Sequence, residues 1–439
     1  MIIERDIFHR LSDWKSRSDR KPLILQGARQ TGKTWLMKSF GERCFTHTAY
    51  FNFDKNDELH HVFEGTKDVE RLLGKLAFYT KSPIVPQETL IVFDEIQECN
   101  KALNSLKYFC EEAPEYSIVA AGSLLGVSLS KGDSFPVGKV DFLRIFPLTF
   151  KEFLAADSSE LFDFAESITN IEEIPLIIFN RLAESFQRYQ VTGGMPETVS
   201  DFLDNKGMEK VEENLQIILQ AYELDFAKHA EKKDIPKITA IWKSIPSQLS
   251  RENRKFLYKL VKPGARAREY EDALLWLEQA GLIHRIFANA KPFLPLKAYD
   301  DVTAFKIYLS DIGLLRRLAN LPPEIILSGS PIYTEFKGAM AENAVLQSLM
   351  TQFEVTPRYW YSEGKAKVDF IIQHQTEIIP IEVKAAENVT GKSLQVFNNQ
   401  YSPKLRIRYS LKNLKKDGNL LNIPLFLADW TKKFISLKG

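Results

Sequence analysis

The run Gly27-Ala28-Arg29-Gln30-Thr31-Gly32-Lys33-Thr34 constrains this chain more than any other feature. It follows a short apolar segment, Pro22-Leu23-Ile24-Leu25-Gln26, and it opens into Trp35-Leu36-Met37-Lys38, which has helical composition. Its spacing is G-x-x-x-x-G-K-[ST]. Glycines at 27 and 32 let the backbone turn tightly and bring its N–H groups against an anion. The positive end of the helix that follows favours the same negative charge. Lys33 at this spacing reaches β- and γ-phosphates, and the Thr34 hydroxyl ligates Mg²⁺. A chance glycine-rich turn lacks the strand before it and the helix after it. The expectation is ATP with Mg²⁺, held by Gly27, Ala28, Arg29, Gln30, Thr31, Gly32, Lys33, Thr34 and Trp35.

Residues 1–145 alternate apolar runs of strand length with helical stretches. PLILQ, TAYFNF, LIVFD and YSIVAAG read as buried parallel strands. That pattern predicts an α/β sheet with helices on both faces. Asp94 and Glu95 end the run LIVFDEI, and ligands of an open α/β sheet bind at strand ends. Asp94 is placed to hold Mg²⁺ through its water shell. Glu95 is placed to orient and deprotonate an attacking water. Ser123 ends the next strand; it either hydrogen-bonds the γ-phosphate or the water, or caps the helix of LLGVSL.

Beyond residue 145 the pattern changes. Thr149 and Glu152 form a T-x-x-E capping box, and VTGGMPE interrupts further helical segments. Residues 146–235 therefore read as a helical lid. Residues 236–325 run helix, helix, helix, strand, turn, strand, the order of a winged helix. Gly281 is the expected stop of a helix carrying Tyr270, Ala273, Leu274 and Leu277. Between residues 251 and 268 stand seven basic residues and one acidic. They are either a solvated face against another domain or phosphate contacts. Residues 330–439 form a second α/β segment whose last 39 residues hold nine Lys or Arg against two Asp.

Other features bound the setting. The three cysteines, Cys44, Cys99 and Cys110, fit no zinc pattern. The N-terminus lacks the continuous apolar core of a signal peptide. The longest mostly apolar stretch, Ile118 to Leu129, is too short to span a bilayer. A cytoplasmic protein without membrane contact is the expectation.

The chain resembles a prokaryotic group of AAA-type ATPases. The matching stretches are GARQTGKT, LIVFDEIQ, AAGSLLG, FPLTFKEFL, TGGMPE, KPGARAREYEDALLWLEQAGLIHR, FKIYLSDIGLL and VDF…IEVK, in order through most of the chain. The group joins its ATPase domain to an uncharacterised C-terminal domain with a winged helix and a restriction-endonuclease-like fold. The resemblance implies the ATPase, this domain order and Ser123 in the sensor-1 position. Where the group usually has Gly-Arg, this chain has Gly138-Lys139, and lysine cannot bind phosphate bidentately. Arg144 is the remaining candidate for a catalytic arginine, against the reading of a solvated surface residue. Slow hydrolysis follows unless a second copy or a protein partner completes the site.

In the C-terminal segment, Glu342 falls in a helical stretch, Asp369 in KVDFII, and Glu382 and Lys384 in IIPIEVKA. The order resembles a PD-(D/E)xK nuclease site, in which carboxylates bind Mg²⁺ and the lysine positions water or stabilises charge. A structural ion-pair cluster or a non-cleaving DNA-binding module fits the same residues. Two functions are therefore expected: an ATPase coupled to DNA binding or processing, or an ATP-dependent signalling switch whose inactive nuclease-like tail binds a protein partner.

Overall fold

The structure is a computed structural model, and it describes residues 3–55, 57–122, 135–251, 254–330, 332, 334–362, 366–385 and 391–437. The chain forms two compact units. One comprises Glu4–Phe146 with Gln279–Gly281; the other comprises Pro147–Glu278 and the chain from Leu282 onward.

The first unit is built on five parallel strands: β1 (Leu23–Gln26), β2 (His47–Asn52), β3 (Thr89–Asp94), β4 (Ser117–Gly122) and β5 (Asp141–Arg144), in the order β2-β3-β4-β1-β5. The central strands divide their residues between two cores. Leu23, Leu25, Leu90, Val92, Val119 and Ala121 pack on helices Phe8–Ser16 and Lys33–Cys44. Ile24, Ile91, Phe93, Ile118 and Ala120 pack the opposite way, on helices Val69–Thr80 and Asn100–Glu112. Helices cover both faces, which is why β3 and β4 are buried throughout. Four strands match the sequence expectation. The fifth, β5, has the weakly apolar sequence DFLR and pairs only with β1.

In the second unit Thr149 and Glu152 form the expected capping box at the start of helix Phe150–Asp157. Helices Leu176–Thr192, Pro196–Leu203, Met208–His229 and Ile235–Leu249 follow. Helix Ala267–Gln279 buries Tyr270, Ala273, Leu274 and Leu277, and Gly281 beyond it has φ +74°. Strands β6 (Ile283–Asn289) and β7 (Asp300–Leu309) form an antiparallel hairpin. The remaining strands are β8 (Arg358–Tyr361), β9 (Lys367–His374), β10 (Glu377–Val383), β11 (Arg406–Ser410), β12 (Lys415–Asp417) and β13 (Leu420–Pro424). All eight join one mixed sheet, ordered β12-β13-β11-β10-β9-β8-β6-β7. The hairpin and the later strands, read from sequence as separate modules, are linked by a short parallel pairing of Ala288 and Asn289 with Tyr359 and Trp360.

The TGGMPE turn is locked inside this unit. A Cβ on Gly194 would lie 2.0 Å from the Leu148 carbonyl oxygen, and one on Gly193 2.8 Å from the Gly313 backbone. The Gly194 N–H donates to Asp311 Oδ2 at 2.6 Å, and the Leu314 N–H donates to Oδ1 at 2.9 Å. Burial pushes the Asp311 carboxyl up to about 6, against the lowering effect of its N–H donors. The native state therefore holds a proton that the unfolded chain has released between pH ~4 and ~6. Asp311→Asn loses one acceptor and should cost about 1–3 kcal/mol. The wild-type advantage over Asp311→Asn should shrink as pH rises through that window, measured by urea unfolding at matched pH values.

Candidate functional site

Strand register places the motif residues together. Leu25 lies opposite Ala121, and Ala121 opposite Asp94, so the chain leaves β1 and β3 at the same edge of the sheet. The turn after β1 is pressed onto the segment following β5. A Cβ on Gly27 would sit 2.3 Å from the Ile145 carbonyl oxygen, a distance that only glycine permits. Gln30 has φ 63° and Gly32 has φ 85°, so the loop winds through the left-handed region before helix Lys33–Cys44 begins. The Thr31 hydroxyl donates to the Ala28 carbonyl at 2.9 Å and ties the loop to itself.

Lys33 is buried, and its ammonium donates to the carbonyls of Gly27 at 2.9 Å and Ala28 at 2.7 Å. Burial pulls its pKa down to about 8, opposed by the charges of Glu95 and Asp94. A phosphate arriving at the loop would supply the counter-charge that burial leaves wanting. Trp35, the third residue of helix Lys33–Cys44, is 40% exposed.

Asp94 is 3% exposed, and its Oδ2 accepts from the Thr34 hydroxyl at 2.8 Å and from the Tyr50 hydroxyl at 2.6 Å. Burial, with the hydrogen bond to Asp94, pushes the Tyr50 phenol up to about 12. Glu95 has φ 53°, and its Oε2 accepts from the Gln97 side-chain amide at 2.7 Å. The Asp94 and Glu95 side chains are thus both held by neighbours. Ser123 lies outside the described residues.

Two functional candidates escaped sequence reasoning. Arg5, 7% exposed, donates to the Thr31 carbonyl at 3.1 Å and to the Phe146 carbonyl at 2.8 Å, bracing the loop from the N-terminal segment. Tyr50 sits on β2. Neither carries a local signal, because each partner is 26 or more residues away. Lys139 forms an ion pair with Glu111 at 2.9 Å. Arg144 is exposed at the end of β5, over the Phe146 ring at 5.6 Å.

The second cluster is built from buried carboxylates and the basic side chains beside them. Glu342, on helix Thr334–Gln352, is 2% exposed and pairs with Arg254 and with Lys306 at 3.2 Å. It also accepts from the Tyr308 hydroxyl at 2.7 Å. Burial opposes its ionisation, but Arg254, Lys306 and Lys367 hold it well below the usual carboxylate range. Asp369 on β9 lies 3.8 Å from Lys306 and accepts from the Val383 N–H at 2.9 Å. Burial, with the charge of Glu342, pushes Asp369 up to about 6. Glu382 instead pairs with Lys384 at 3.3 Å and Arg408 at 3.4 Å.

Among the described residues no group of three His, Cys, Asp or Glu is arranged to hold a metal ion. Glu342, Asp369 and Glu382, read from sequence either as metal ligands or as a structural ion-pair cluster, are each engaged by basic side chains. Lysine and arginine side chains from β7, β11 and residue 254 take the positions next to those carboxylates. Arg254, expected on a solvated or phosphate-binding face, is one of these partners and is part-buried.

Residues 19–154 match the model of an AAA domain. Residues 183–325 and 337–426 match two domains of unknown function, DUF8612 and DUF4143. No curated protein matches the chain. Among solved structures, a Walker-type ATPase of Pyrococcus abyssi is similar at 14% identity and TM-score 0.45, covering 72% of this chain and 96% of that one. The ORC1 protein of Aeropyrum pernix in complex with DNA is similar at 14% identity and TM-score 0.28, covering 76% and 95%. RuvB of Thermotoga maritima is similar at 16% identity and TM-score 0.31, covering 64% and 90%. The G-x-x-x-x-G-K-[ST] run and Asp94 both lie within the residues that match the AAA domain. No helix among the described residues is long and apolar enough to cross a membrane.

Two substitutions test these contacts. Arg5→Ala leaves the Thr31 and Phe146 carbonyls without this donor; it should cost about 1–3 kcal/mol and weaken nucleotide binding, read by urea unfolding and fluorescent-nucleotide titration. Lys306→Met removes one cation shared by two buried carboxylates, leaving Asp369 without its ammonium, and should cost about 3–5 kcal/mol in the same unfolding assay.

Proposed function

We propose that this protein binds ATP with Mg²⁺ at Gly27–Trp35 and hydrolyses it, and that the nucleotide state governs nucleic-acid binding by the second unit. The observation that carries the reading is the 2.8 Å contact of Thr34 with Asp94 beside a buried Lys33 turned onto its own loop. A hydroxyl and a carboxylate sharing one hydrogen bond are the oxygen donors that a hard divalent cation takes. Thr34 and Asp94 fit Mg²⁺ for that reason.

Magnesium, when bound, offsets phosphate charge and lowers the cost of its build-up in transfer. The loop from Gly27 to Gly32 wraps the phosphates, and Lys33 exchanges its carbonyl partners for β- and γ-phosphate oxygens. Glu95, steadied by Gln97, accepts the proton of the attacking water. Ser123 is proposed to contact the γ-phosphate or that water. Arg144 is exposed over the Phe146 ring, and a catalytic arginine is proposed to come from a second copy or a protein partner.

The second unit is proposed to comprise a helical lid (146–235), a winged helix (236–325) and a nuclease-like module (330–439). Helix Ala267–Gln279 followed by the β6–β7 hairpin supports the winged helix. Lys255, Lys259, Lys262, Arg266 and Arg268 are exposed beside it, and Lys412, Lys415 and Lys416 are exposed near β12. These are the proposed phosphate contacts. Glu342, Asp369 and Glu382 are all neutralised by basic side chains, which favours a module that binds without cutting. The same observation favours a second reading, an ATP-dependent signalling switch whose inert tail binds a protein.

ATPase rate measured against protein concentration, with and without single- and double-stranded DNA, separates these readings. Slow basal turnover that rises with concentration and with DNA is the expected result. Turnover indifferent to DNA would move the reading to the switch. Fast, concentration-independent turnover would refute the missing-arginine argument. Glu95→Gln should retain ATP and lose about 10²–10⁴-fold in rate. Supercoiled DNA incubated with Mg²⁺ or Mn²⁺ should remain intact; nicking abolished by Asp369→Ala and Glu382→Ala would reverse the non-cleaving assignment.

A further inference from the structure

The geometry points to Tyr50 as a positioning residue for magnesium, one that holds the Asp94 carboxylate in the orientation in which it and Thr34 receive the cation. The inference rests on the ATP reading above and assigns a role to a residue that no loop or strand-end motif marks.

Asp94 leaves β3 with one oxygen, Oδ2, facing both Thr34 at 2.8 Å and Tyr50 at 2.6 Å. The Tyr50 rotor has a defined sense. Its oxygen accepts from the Asn52 side-chain amide at 3.4 Å, so its proton is directed at Asp94. The ring is held as well: the Lys38 ammonium lies 4.4 Å from its centroid. Lys38 is four residues after Thr34 on helix Lys33–Cys44, hence on the same side of that helix. The contact therefore joins the helix that opens the phosphate loop to the carboxylate at the end of β3, through a side chain of the edge strand β2.

A carboxylate that binds a hydrated cation has two oxygens and two χ angles to set. Its Oδ1 accepts from the Glu95 N–H at 3.1 Å, but without Tyr50 the Oδ2 would have only Thr34, and nothing would hold that oxygen once the threonine hydroxyl turns to the metal. The Tyr50 hydroxyl supplies a partner that does not leave. Outer partners of this kind typically govern metal affinity by about 10–100-fold.

The test uses the full chain and a fluorescent, non-hydrolysable ATP analogue, titrated with Mg²⁺ and separately in excess EDTA. Tyr50→Phe should raise the half-saturating Mg²⁺ concentration about tenfold and leave the EDTA affinity unchanged. Asn52→Ala frees the rotor without removing the hydroxyl, and should shift the Mg²⁺ requirement the same way by a smaller factor; it carries the test if Tyr50→Phe does not fold. An unchanged Mg²⁺ dependence in the folded variants overturns the role of Tyr50 while leaving the ATP reading intact. Affinity lost equally with Mg²⁺ and with EDTA assigns Tyr50 to general support of the loop and also overturns it. A wild-type chain that binds no nucleotide overturns both readings.

Discussion

Thr34 and Asp94 are sixty residues apart in the chain and 2.8 Å apart in the fold. Parallel strands in register bring them there, since β1 and β3 flank β4 and all three end at one edge. A one-residue slip in any of these pairings would turn every side chain of the slipped strand to the other face. Two separate apolar cores, one per face, penalise such a slip. The contact between hydroxyl and carboxylate is therefore secured by hydrophobic burial several residues away from it.

Around that contact the polar groups are kept in one arrangement by short local constraints. Gly27 allows the loop to lie against Ile145, and Arg5 holds the carbonyl of Thr31 from outside. Lys33 is the exception to this settled picture. Its ammonium is buried on two backbone carbonyls, and burial has lowered its pKa to about 8. A charge hydrogen-bonded only to neutral carbonyls, with Glu95 and Asp94 acting on it at longer range, is poised to change partners when phosphate arrives, whereas Asp94 already has strong donors and has no such reason to move.

The second unit handles buried charge by internal pairing. Lys306 is wholly buried between Glu342 and Asp369, with the rings of Tyr308, Tyr359 and Phe370 around it at 5.2–5.9 Å. An ammonium at that depth compensates the carboxylates and ties β7 to β9 and to helix Thr334–Gln352. Pairs of this kind contribute little net stability against an apolar replacement, but losing one partner is costly. The cluster thus binds the hairpin β6–β7 to the strands that follow it, and the continuous eight-stranded sheet has the same consequence.

Much of the first unit was legible in the sequence because its signals are local. Four apolar runs, two glycines at fixed spacing and an acidic pair after a strand each report on a few neighbouring residues. β5 was not legible, since DFLR is short, half exposed and paired on one side only. β8, β12 and β13 escaped for similar reasons, being brief pieces that become strands by pairing. Tyr50 and Arg5 gave no signal because their partners lie elsewhere in the chain. The sequence by itself determined that a phosphate-binding turn would stand between a strand and a helix, and that carboxylates would interrupt apolar strands near the C-terminus. Only the tertiary structure decided what those carboxylates face. Burial makes an unpaired charge costly, and whether the compensating cation is a metal or a lysine depends on which side chains the folded sheet brings within reach.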